Sequence, residues 1–78
     1  MGKWIRWDNY TPLLQTLSYP QRFAFLRMCE GFAVSPGRMR ITKSLTVLVR
    51  KESLEALEAR GMCCTFLDSI GQLKAVRP

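Results

Sequence analysis

Glu52-Ser-Leu-Glu-Ala-Leu-Glu-Ala-Arg-Gly-Met-Cys-Cys-Thr-Phe-Leu-Asp-Ser-Ile-Gly-Gln-Leu-Lys-Ala-Val76 is the stretch whose reading decides the fold. Leu54 and Leu57 lie three residues apart with Ala56 beside them, and Glu52, Glu55 and Glu58 cover the remainder. That spacing predicts an amphipathic helix over residues 52–60. Glu52 and Glu55 suit its positive end, Arg60 suits its negative end, and Gly61 supplies a C-cap. Residues 62–67 then read as a strand, 68–71 as a tight turn and 73–76 as the partner strand. A helix therefore runs through one glycine into a β-hairpin.

Upstream, Ser18-Tyr-Pro-Gln21 matches a capping box and opens a second helix over residues 19–30, stopped by Gly31. Phe23, Phe25, Leu26, Met28 and Cys29 give it a broad apolar face, with Arg22 and Arg27 on the remaining surface. Thr11-Pro12 predicts a shorter helix before it, carrying Leu13, Leu14 and Leu17 and ending near Ser18, because Tyr19 precedes a proline. Phe32-Ala-Val34 reads as a short extended piece entering a type II turn at Ser35-Pro-Gly37, where glycine supplies the positive φ.

Residues 38–49 admit two readings. Met39, Ile41, Leu45, Val47 and Val49 follow a two-residue period broken only at Lys43, whereas Ile41, Leu45 and Leu48 fit a helical face less completely. Enrichment in threonine and valine favours strand. Residues 1–11 hold Trp4, Ile5, Trp7 and Tyr10 among charges, and are expected to form an aromatic leader packed on the domain of residues 12–78. The alternative for Trp4 and Trp7 is a protein-interaction patch.

Composition bounds the function. Seventy-eight residues make one domain, and 47% hydrophobic with 23% charged residues is ordinary globular usage. Twelve Lys and Arg against six Asp and Glu give a net charge of +6, which favours polyanionic partners. Histidine is absent, so the usual general base is missing and serine or cysteine nucleophiles lack a partner. Each glycine outside residue 2 has a turn or cap to explain it, leaving no phosphate-cradling loop. No enzyme activity, cofactor or small-molecule substrate is expected. Cys63 and Cys64 are neighbours, which on a strand point to opposite faces, so with Cys29 they are expected to bind no metal and to be small core residues of a reduced, cytoplasmic protein. Neither a secretory leader nor a membrane-spanning run is expected.

The segment Ser53-Leu-Glu-Ala-Leu-Glu-Ala-Arg-Gly-Met62, continuing into the hairpin, resembles the closing part of the winged helix-turn-helix superfamily. Residues 19–31 are similar to that superfamily's first helix and 32–34 to its short first strand, so the likeness covers residues 19–76. It implies a small single α+β domain, winged-helix-like, with helices packed on a small antiparallel sheet. It also implies nucleic-acid binding, as in a small transcriptional regulator. Two features depart from the pattern: residues 40–49 read at least as well as strand where a second helix is usual, and the outward face of the recognition-helix counterpart carries Glu52, Glu55 and Glu58.

The basic residues group elsewhere: Arg38, Arg40 and Lys43 after the Pro-Gly turn, Arg50 and Lys51 just beyond, and Lys74 on the wing. On a strand, Arg38 and Arg40 would share one face and could straddle phosphates. These six are the candidate contacts to duplex DNA or to an acidic protein surface. Small basic single-domain proteins of this kind also resemble phage or prophage accessory proteins, some of which bind and inhibit a host enzyme or defence complex. That interaction module, with a homodimer allowed, is the second expectation.

Overall fold

Ser18 and Gln21 cap each other: Ser18 Oγ accepts from the Gln21 amide at 3.4 Å, and Gln21 Oε1 accepts from the Ser18 amide at 3.1 Å. Amides that a helix start would otherwise leave without partners are thereby satisfied. The helix they open, α1, spans Tyr19–Cys29. It ends as a Schellman motif, with the Gly31 amide donating to the Met28 carbonyl and the Phe32 amide to the Arg27 carbonyl. Gly31 sits at φ 98°, which costs glycine no Cβ clash.

The computed structural model describes residues 12–78. A helical turn at residues 12–14 precedes α1; β1 (Gly37–Thr42), β2 (Leu45–Val49), α2 (Lys51–Ala59), β3 (Cys64–Leu67) and β4 (Leu73–Val76) follow it. The result is a small α+β domain, as the sequence suggests. Its strands form two antiparallel pairs, β1–β2 and β3–β4, rather than one sheet. The first helical piece ends near Ser18, as expected: after residue 14 the chain closes with Thr16 N–H to Leu13 O and Leu17 N–H to Leu14 O, and Leu17 lies in the core.

Residues 38–49 resolve as a hairpin, neither a helix nor one strand. The register pairs Gly37 with Val49, Met39 with Val47 and Arg40 with Thr46. Odd positions thus face odd and even face even, so the two-residue alternation passes through the turn and imitates a single strand. The break at Lys43 is the turn itself. Lys43 and Ser44 include no glycine, and no non-glycine residue has positive φ among the described residues. The primed turns that match strand twist are therefore excluded, and the register shifts between Arg40 and Thr42 to absorb the mismatch.

α2 ends as α1 does, with the Gly61 amide donating to Glu58 O and the Met62 amide to Leu57 O. The β3–β4 loop is held by Gly71 N–H to Asp68 O, and by Asp68 Oδ1 accepting from the Ile70 and Gln72 amides. One further bridge, Val34 with Ala75, adds a third-strand residue beside β4. It stops there for two reasons. In that register Pro36 would stand opposite Leu73 and has no amide to donate, and the Phe32 amide is already given to Arg27 O.

A single core joins these parts. Ala24, Val49, Leu54, Leu57 and Ala75 are fully buried, with Phe25, Met28, Val34, Met62 and Cys63 packed among them. Ala24 belongs to this set although the sequence pattern points to the larger Phe23 and Leu26. Those two are only half-buried, Phe23 standing edge-on to Tyr19 with ring centroids 4.9 Å apart.

Candidate nucleic-acid interface

The β1–β2 hairpin has an inner and an outer face. Met39, Ile41, Leu45, Val47 and Val49 turn toward the domain, while Arg38, Arg40, Thr42, Thr46 and Leu48 are exposed. Arg38 stands opposite Leu48 and Arg40 opposite Thr46, so two arginines occupy successive outward positions of one strand. Lys43 lies at the hairpin tip. Arg50 is the N-cap of α2 without a side-chain capping bond, and Lys51 is its first residue. Between Glu30 and Glu52 the chain carries five cations and no acid.

Hydrogen bonding sorts the basic residues into two kinds. Arg22 Nε donates to Leu14 O and Arg60 donates to Thr16 Oγ1 at 2.8 Å, so both tie the first helical turn to the rest of the fold. Arg77 acts at Cys29. The hairpin cations are differently placed. Arg40 gives one N–H to Thr42 O at 3.4 Å and keeps its other donors. Lys51 meets Glu55 at 3.9 Å, an exposed pair worth about 0.5 kcal/mol or less. No ion pair joins Arg38, Arg40, Lys43 or Arg50 to a carboxylate among the described residues.

Two contributors escape the sequence reading. Arg27 donates to Arg40 O at 2.9 Å, which blunts the open edge of β1, and its guanidinium lies 5.9 Å from the centre of the exposed Phe32 ring. It thereby lines, with Phe32, Pro36 and Arg38, a depression of about 400 Å³ beside the hairpin. Helical spacing alone places Arg27 on the surface; only packing of α1 against β2 brings it to β1. Thr46 is the other, brought opposite Arg40 only because the turn returns β2 beside β1.

Lys74 stands apart from this group, on β4 opposite Phe66 in the other sheet. Trp4 and Trp7, with the leader that holds them, lie outside the described residues. Glu52 and Glu55 are exposed on α2 as expected, but Glu58 is not a bare surface charge. Its two oxygens accept from the Thr65 amide at 2.9 Å and the Thr65 hydroxyl at 2.8 Å, joining α2 to the outer edge of β3. Both bonds, the backbone one foremost, hold its carboxyl below the usual range.

All three cysteines are free; Cys29 and Cys63 are buried and Cys64 is exposed. Burial pushes the Cys29 and Cys63 thiols up, against the opposing effect of Arg77 at Cys29. Among the described residues no three His, Cys, Asp or Glu side chains are grouped to hold a metal ion. No helix there is long and apolar enough to cross a membrane. Comparison with protein families, curated proteins and solved structures finds no match to this chain.

Proposed function

We propose that this domain binds nucleic acid, and specifically duplex DNA, through the outer face of the β1–β2 hairpin and the adjoining start of α2. The observation that carries this reading is the arginine pair Arg38 and Arg40, outward on one strand, flanked by Lys43 and Arg50 and without a neutralising carboxylate among the described residues. Unpaired guanidinium groups at successive outward positions suit a row of phosphates. The order α2, Gly61, β3, β4, with Val34 bridging β4, supports a winged-helix-like reading in which a hairpin replaces the second helix. The lack of histidine supports a binding module over an enzyme, and three unpaired thiols support a cytoplasmic setting.

A salt titration tests this. If Arg38, Arg40, Lys43 and Arg50 each contact a phosphate, the slope of log K against log salt for random duplex is about −3.6, and each Ala substitution reduces it by about one unit. Lys74→Ala, on the other sheet, tests whether the wing adds a contact. No measurable binding at about 50 mM salt rejects the reading.

A protein-interaction module is the second reading, favoured by one observation: Phe66, Leu67 and Ile70 expose 46, 66 and 82% of their surface on and beside β3. Exposed apolar side chains on and beside β3 suit a partner, with the β1–β2 cations facing acidic residues on it. Stoichiometric capture of one protein after nuclease treatment, lost in an Ile70→Ser variant, would favour it.

A further inference from the structure

We propose that the β1–β2 hairpin is the reading element: a two-stranded ribbon that enters the major groove of B-form DNA, with Arg38, Arg40 and Thr46 toward base edges and Lys43, Arg50 and Lys51 toward flanking phosphates. This rests on the nucleic-acid reading above and names the element that recognises the DNA: on random duplex Arg38 and Arg40 contact phosphates, as the salt titration tests, and in the selected site they turn to base edges.

Dimensions permit the entry. Paired strands lie about 4.8 Å apart, and the B-form major groove, about 12 Å wide, admits a two-stranded ribbon. The outward chemistry suits base edges. Arginine pairs bidentately with guanine O6 and N7, threonine offers a hydroxyl and a methyl, and Leu48 opposite Arg38 gives an apolar surface for a thymine methyl. The register shift between Arg40 and Thr42 adds local right-handed twist, which helps a ribbon follow a groove.

The competing element is α2, and its surface argues against it. Glu52 and Glu55 project from its first two turns, so seating it in a groove would place two carboxylates between rows of phosphates. Lys51 offsets one of them through the 3.9 Å pair with Glu55. Arg27, bonded to Arg40 O, fixes β1 at the arginine pair and lends a third guanidinium to the same edge. In A-form RNA the major groove is deep and narrow and side chains do not read it. The ribbon therefore discriminates DNA from RNA, which phosphate contacts alone would not.

The experiment uses the full chain with a DNA duplex of about 20 base pairs, chosen by selection from a random library, and an RNA duplex of the same sequence. The expected result is DNA binding at least about tenfold tighter than RNA binding, weakened about tenfold or more by methylation of guanine N7. Arg38→Lys with Arg40→Lys, which keeps charge but loses the fork, reduces binding of the selected duplex to that of random duplex. Thr46→Ala shifts the selected sequence. Glu52→Ala with Glu55→Ala strengthens binding to every duplex and leaves the preference intact. Matching melting curves for the variants confirm that they are folded. Equal affinity for DNA and RNA, or a preference that follows the glutamate variant and ignores the hairpin variants, overturns the ribbon while leaving nucleic-acid binding standing. Failure of both duplexes to bind overturns the binding reading and the ribbon together.

Discussion

Glu55 and Glu58 are one turn apart on α2, both solvent-exposed, yet they do different jobs. Glu55 meets only Lys51, across 3.9 Å, whereas Glu58 closes a two-bond clamp on Thr65. Because Glu58 prefers its charged form when folded, its contribution is present above the unfolded carboxyl pKa and is lost as pH falls through the lower folded value. Acid titration of stability should therefore be steeper in the wild type than in Glu58→Gln, which keeps an acceptor but not the titration. Glu58→Ala should lower the melting temperature more than Glu55→Ala; the reverse order would show that the clamp does not form in solution.

Thiols give a second test at this scale. Cys64 should react with an alkylating reagent in the native protein, while Cys29 and Cys63 react only on unfolding. Burial raises both buried thiols, so their contribution holds below the unfolded thiol pKa and declines as pH rises beyond it. Rapid alkylation of all three in the native state would contradict this packing.

At the scale of elements, α2 is held by Leu54 and Leu57, both fully buried. Replacing either with Ala should cost about 2–5 kcal/mol in chemical denaturation, the range for truncating a core leucine. A cost below about 1 kcal/mol would mean that a different face of α2 is buried. The helix ends were legible in the sequence because their determinants are local: Ser18 and Gln21 are three residues apart, and Gly31 and Gly61 each close bonds within five residues. The hairpin was less legible. Its alternation named the inner residues, but the turn at Lys43–Ser44 carries no glycine or proline signal, and a register that pairs odd with odd hides the reversal. Pro36, which limits the third strand to the Val34 bridge, can be given that role only once Leu73 is known to lie opposite.

At the scale of the whole molecule, the basic run and the most exposed apolar side chains among the described residues lie on different sheets, although Phe32 and Leu48 are also exposed beside the cations. Five cations without an acid occupy residues 31–51, while Phe66, Leu67 and Ile70 stand exposed on and beside β3 in the other sheet. Leu67→Ser and Ile70→Ser should change melting stability by no more than about 0.5 kcal/mol, as expected for surface positions away from the core. A large loss would place the β3–β4 tip within the folding core. Sequence alone determined the net charge, the α2-to-hairpin order, the helix caps and the alternating arginines, since each depends on composition or on neighbours a few residues apart. Tertiary structure alone decided that residues 38–49 double back, that Arg27 reaches Arg40, that Glu58 is bound to Thr65 and that Lys74 stands on a separate sheet. Each of these joins residues through space, set by how α1 and α2 bury their apolar faces against the strands, and no local spacing encodes that packing.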